Sequence, residues 1–184
     1  MAFSLLDPNG TPGAQHVERG CRWYYVDMNH EPINFARQLI RGRIAEVIFE
    51  RMIREEGRYT VIPFGYEQTV PTLAQYQHLA LIKQVMDNIR DAPDFVLVSE
   101  DKTKVYLVEV KYRSSLNREE IKEAAAALLK RWDPSWVFVA TPDGFFCAPS
   151  SAVAEHGIIS RLSENWVPAD RQKQYLDLLN EFET

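Results

Sequence analysis

Two apolar runs joined by a polar turn constrain this chain more than any other feature. Pro93-Asp94-Phe95-Val96-Leu97-Val98 and Val105-Tyr106-Leu107-Val108-Glu109-Val110-Lys111-Tyr112 are rich in β-branched and aromatic residues, with Ser99 to Lys104 between them. Such a pattern reads as a β-hairpin. Glu109 and Lys111 stand two residues apart on a strand, so both side chains leave the same face. With Asp101-Lys102 as a two-residue turn, Glu100 faces Thr103 and the register carries Asp94 opposite Glu109, where cross-strand neighbours share a face. The expectation is two carboxylates and an ammonium gathered near the open end of the hairpin. It depends on register, because a slip of one residue sends Asp94 to the other face.

Two close carboxylates in a mostly buried setting repel each other and need a counter-charge. A hard divalent cation such as Mg²⁺ supplies it and prefers oxygen ligands. Lys111 beside that cation could orient or deprotonate a water, or stabilise negative charge on a phosphate. A simpler arrangement is equally open at this point: Glu109 and Lys111 as a salt-bridged pair on an exposed strand face.

A length of 184 residues suits one domain with one sizeable core. The 46% hydrophobic and 26% charged content is ordinary for a soluble globular protein. No apolar run reaches membrane-spanning length, and Met1 to Pro8 lacks the basic region and the long apolar stretch expected of a signal peptide. Cys21 and Cys147 make no disulfide framework, so a reducing cytoplasm is the expected setting. His16, His30, His78 and His156 lack metal-site spacing. The net charge of −5 weighs mildly against a nucleic-acid partner, but its distribution matters more. Eight basic residues against four acidic ones fall between Lys102 and Arg131, and six arginines fall between Arg37 and Arg58. These clusters fit a basic surface or, equally, a solvated face with i,i+4 pairs.

Residues 1–31, with Pro8-Asn9-Gly10, Pro12-Gly13 and Gly20, read as a loop-like extension with room for a short strand at Cys21–Val26. From Asn34 to Glu56 the apolar spacing is helical, with an inner stripe of Ile33, Ala36, Ile40, Ile44, Val47, Ile48 and Ile53. Gly42 marks a kink or a junction of two helices in that pattern. Glu46 leans between apolar neighbours, where a buried carboxylate needs a partner; pairing with Arg43 or Arg54 is the alternative to a functional role. A strand at Arg58–Phe64 comes next. A helix then opens at Thr72 and Gln75 with a capping-box pattern. After the hairpin, Asn117-Arg118-Glu119-Glu120 starts a helix running to Trp132. Strands at Trp136–Ala140 and Phe145–Ala148 flank a Thr141-Pro142-Asp143-Gly144 turn. Residues 149–168 read as irregular, and Arg171–Phe182 as a closing helix. The order predicts an α/β domain with a mixed central sheet flanked by helices.

Gly42-x-x-x-Glu46 on the first helix, Pro93-Asp94 at a strand start and Glu109-Val110-Lys111 on its partner, followed by a helix and a strand, resemble the PD-(D/E)xK nuclease superfamily. The layout is similar to that of archaeal Holliday-junction resolvases, and the resemblance covers roughly residues 34–140. It implies a restriction-endonuclease-like fold over residues 32–184, with an inserted helix at about 73–90. It also implies a Mg²⁺- or Mn²⁺-dependent endonuclease acting on DNA phosphodiesters, often as a homodimer. Asp94, Glu109 and the Val110 carbonyl would bind the metal. Glu46 would complete the site directly or through water, and Lys111 would assist the attacking water or the transition state. Tyr112, Arg113, Ser114, Ser115 and Lys122 would be substrate contacts or structural residues. The Trp132–Trp136 region or the 73–90 helix would offer a dimer interface. The inserted helix and the acidic pI depart from the family pattern. A catalytically silent nuclease-fold protein that binds nucleic acid or a protein partner is the alternative.

Overall fold

The computed structural model describes residues 32–65 and 92–182. The expected strand at Cys21–Val26 and the helix at about 73–90 lie outside the described residues. The elements are α1 (Pro32–Glu55), β1 (Tyr59–Pro63), β2 (Phe95–Ser99), β3 (Val105–Tyr112), α2 (Arg118–Leu129), β4 (Trp136–Thr141), β5 (Gly144–Pro149), α3 (Ser150–His156) and α4 (Ala169–Glu181). The five strands form one mixed sheet in the order β1-β2-β3-β4-β5. Only β3 and β4 run parallel, with α2 as the crossover between them. A central sheet between helical layers is therefore the architecture, as the element order predicts.

Alternation along the strands splits the core in two. On one face Phe95, Leu97, Val108, Val110, Tyr112, Phe138 and Phe145 meet α1 and α4, which bury Ala45, Ile48, Phe49, Met52, Ile53 and Leu179. On the other, Val137, Val139, Phe146 and Ala148 meet Ile121, Ala125 and Leu128 of α2 and Val153 of α3. The side chain of Asn117 accepts from the N–H groups of Glu119 and Glu120, so the predicted cap of α2 is present.

Three expectations need correction. Gly42 breaks nothing: α1 is one continuous helix of 24 residues, and a Cβ at Gly42 would meet open space. The predicted inner stripe of α1 is on the wrong face through Val47, since Ile33, Ile40 and Val47 are 55%, 58% and 49% exposed. At 3.6 residues per turn these three lie across the helix from Ala45, Ile48, Phe49 and Met52, the residues that pack on the sheet. Residues 150–156 form a short helix rather than irregular chain, with Gly157 closing it in the left-handed conformation at φ 62°. A seven-residue helix held by the burial of Val153 carries too little periodicity to read from sequence.

The rings near Trp132–Trp136 are engaged within the chain. Trp136 packs with Tyr106 and Trp166, and Trp132 meets Phe64 edge-on at 5.5 Å. Cys147 is a free thiol, and Cys21 lies outside the described residues. Among the described residues no helix is long and apolar enough to cross a membrane.

The hairpin tip reaches the expected register by an unexpected route. Phe95 pairs with Val108 and Val98 with Val105, which places Asp94 opposite Glu109 one step beyond the last pair. The turn is not the two-residue one. Ser99 and Lys104 close a four-residue loop, the Lys102 N–H bonds back to the Ser99 carbonyl at 2.8 Å, and Lys102 takes a left-handed φ of 56°. Asp101 accepts from the Ser99 hydroxyl, the Thr103 hydroxyl and the Thr103 N–H, which hold its carboxyl down at about 2. Lys102→Gly is expected to stabilise the protein by ~0.5–1 kcal/mol, because only glycine takes that φ without a steric cost. A thermal melt about 2–4 °C above the parent is the expected readout; an unchanged or lower melt would count against this tip.

Candidate active site

The site grows from the point where β2 stops. Hydrogen-bonded pairs alternate along an antiparallel ladder. The Ser99 N–H donates to the Lys104 carbonyl at 3.0 Å, so that pair is of the bonded kind. Counting in twos through Leu97–Tyr106 and Phe95–Val108 brings Pro93 opposite Val110. Proline has no N–H to give to the Val110 carbonyl, so the ladder ends there. The Val110 N–H turns instead to Asp94 Oδ2 at 2.7 Å. On the other side the Asp94 carbonyl accepts from the N–H groups of Phe64 and Gly65 at 2.9 and 3.2 Å. Asp94 is thus fixed by its backbone on one strand and by its side chain on another.

By the same alternation Asp94 and Glu109 form a non-bonded pair, the kind whose side chains approach more closely. Glu109 and Lys111 are ion-paired and mostly covered, with side chains 18% and 22% exposed. They lie on the sheet face that carries Val137 and Val139, their neighbours on β4. Burial pushes the Asp94 carboxyl well above the ordinary aspartate range, and the Glu109 carboxylate pushes it further. Lys111 and the Val110 N–H oppose that rise, while Glu46 adds to it.

Glu46 arrives from a different layer. It sits on α1, against the opposite face of the sheet, and pairs with Arg43 at 2.6 Å, which is the alternative its position left open. Arg41, nearby on α1, lies 5.6 Å over the ring of Tyr112, so this stretch of helix reaches the end of β3 where the site lies. Asp94, Glu109 and Lys111 are therefore gathered at the register position expected, and Glu46 is close enough to act on Asp94 without sharing their sheet face. Among the described residues no group of three or more His, Cys, Asp and Glu side chains is drawn together tightly enough to form a metal cage on its own.

The expected substrate contacts separate. The Tyr112 side chain is 5% exposed and belongs to the core beneath α1. Arg113 bonds the Tyr112 carbonyl at 2.7 Å and pairs with Glu120 at 3.4 Å, tying the end of β3 to α2. Ser114 and Ser115 are exposed in the connection that follows, and Lys122 is half-buried on α2. Two neighbours of the site escape sequence reasoning. Gly65 is one: a Cβ there would lie 3.6 Å from Asp94 Cα and Oδ1. Arg41 is the other, and it becomes visible only once the end of α1 is seen beside Tyr112. Its faint trace in the sequence is the four-residue step Arg37, Arg41, Ala45.

No protein-family model matches this chain, and no curated protein matches it in sequence.

Proposed function

We propose that the protein is a metal-dependent nuclease of the PD-(D/E)xK type that hydrolyses DNA phosphodiesters in the cytoplasm. The observation that carries this reading is the end of the β2–β3 ladder, where Asp94, Glu109 and Lys111 converge and Asp94 is destabilised as an anion first by burial and then by Glu109. A helix carrying Glu46, the hairpin of β2 and β3, then α2 and β4 is the order on which the resemblance rests, and it supports the same reading.

The donor set fits a hard cation. Two carboxylates that repel each other, beside a backbone carbonyl facing a proline, suit Mg²⁺ or Mn²⁺, which need few protein ligands and keep several waters. Asp94, Glu109 and the Val110 carbonyl would hold the ion, with Glu46 reaching it through water. When bound, such an ion neutralises phosphate charge and acidifies water. Lys111 is held by Glu109 beside the reacting position. Its ammonium can stabilise charge developing on the phosphate, or its amine can accept a proton from the attacking water. Glu109 thereby does two jobs, one toward the ion and one toward Lys111.

The test is incubation with supercoiled plasmid and branched DNA, with Mg²⁺, Mn²⁺ or EDTA, beside Asp94→Ala. Nicking that needs the metal and disappears in the variant is the expected result. DNA bound but uncut under all conditions would replace this reading with that of a silent nuclease-fold binder. Neither binding nor cutting would leave an α/β domain of unrelated role. Sedimentation of the same samples with and without DNA tests the homodimer.

A further inference from the structure

The face of α1 that packs on the sheet runs 45, 48, 49, 52 and 53, all buried. Continued toward the N-terminus in helical steps, that face carries Arg41 and Gln38, with Arg37 at its border. The stripe that is apolar over the sheet turns polar there, at the end of β3 where Tyr112 follows Lys111. Arg41 is held at that end of β3, its guanidinium 5.6 Å over the ring of Tyr112, on the sheet face opposite Lys111. Arg37 is exposed one turn further out. A guanidinium stacked on an aromatic face loses little conformational freedom when it meets a phosphate, and its donors suit phosphate oxygens.

We infer that Arg41 and Arg37 form a phosphate-gripping ledge, which holds the DNA strand at a phosphate flanking the one that reaches Asp94 and Lys111. This inference rests on the nuclease reading and adds the part of the surface that seats the strand. Arg41 is a binding residue here, so its loss should act on substrate affinity and leave the chemical step largely alone.

The experiment measures binding of a fluorescent DNA duplex to the full chain carrying Asp94→Asn, over a range of salt concentrations. Arg41→Gln, Arg41→Lys and Arg37→Gln are compared with Lys173→Gln, a control on α4 whose partner is Asp177. Arg41→Gln should weaken binding about tenfold and lower the slope of log K against log[salt] by about one. Arg41→Lys should recover the salt slope but only part of the affinity, since it keeps the charge and loses the planar stack. In the cleaving parent, Arg41→Gln should raise KM with little change in kcat, and circular dichroism should show the fold intact. Arg41→Gln and Arg37→Gln that bind and respond to salt as Lys173→Gln does would overturn the ledge, while loss of cutting in Asp94→Asn would leave the nuclease reading standing. A parent that neither binds nor cuts DNA, or that binds RNA alone, overturns both.

Discussion

Under the proposed nuclease function, Asp94→Asn should abolish DNA cleavage and at the same time raise the melting temperature at neutral pH. The two effects share one cause. In the metal-free fold the Asp94 carboxyl is pushed well above the ordinary aspartate range, first by burial and then by Glu109. A carboxyl with a raised folded-state pKa contributes stability while it is protonated, and that contribution is lost as pH rises through the folded value. Asparagine cannot ionise, yet its Oδ1 can still accept the Val110 N–H. Relieving a repulsion of about 1 kcal/mol in a chain of this size raises the melting temperature by ~2–4 °C. The gain should be present at pH 7–8 and shrink toward pH 4. Activity moves the other way. A metal site supplies several kcal/mol of transition-state charge stabilisation, so losing a ligand should slow cutting about 10³-fold or more. Scanning calorimetry at pH 4, 6 and 8 without metal, beside plasmid nicking with Mg²⁺, separates the two effects. A variant that melts lower at every pH would show that Glu109 does not repel Asp94, and the site as described would be wrong.

Lys111→Met should be nearly as damaging to cutting, with the opposite effect on stability. Lys111 is the cation that offsets Asp94 and pairs with Glu109. Without it two carboxylates face each other uncompensated, so the metal-free protein should melt lower than the parent at pH 8 and recover toward pH 5 as a proton takes the missing charge's place. Removing one preorganised charge stabiliser costs about 10²–10³ in kcat, and KM should change much less. Lys111→Arg divides the two roles left open above. A guanidinium keeps the positive charge but does not give up a proton in proteins. If Lys111 accepts a proton from water, the arginine variant stays as slow as the methionine one. If it only stabilises charge, arginine restores part of the rate. An unchanged kcat in Lys111→Met would remove Lys111 from the chemistry.

The parts of this fold that the sequence displays are those where local chemistry and tertiary structure agree. The hairpin, the Asn117 cap and the strands around Gly144 are set by neighbours in the chain, so their residue types reveal them. The sequence implies the Asp94–Glu109 pairing through a two-residue turn that the fold does not use. A two-residue tip and the actual four-residue loop give the same register, because Ser99 and Lys104 pair in both. What could not be read is which side of an element its neighbour covers. Ile33, Ile40 and Val47 repeat as faithfully as any core stripe, and only the packing of the opposite helix face on the sheet, through Ala45, Ile48, Phe49 and Met52, leaves them exposed. The packing of α1 also brings Arg41 and Glu46 near the site, whereas strand alternation turns Tyr112, which follows Lys111 directly, to the opposite face and into the core.

The hairpin tip has a consequence for how this protein can vary. Ser99 lies five steps along the strand from Asp94, a reach of about 17 Å at the usual rise per strand residue. Across that span the tip works as a ruler for chemistry it never touches. Adding one residue between Glu100 and Thr103 would invert the facing of a whole strand, whereas adding two would restore it. Length changes at this distant corner should therefore be accepted in even steps, unless a bulge absorbs the odd one.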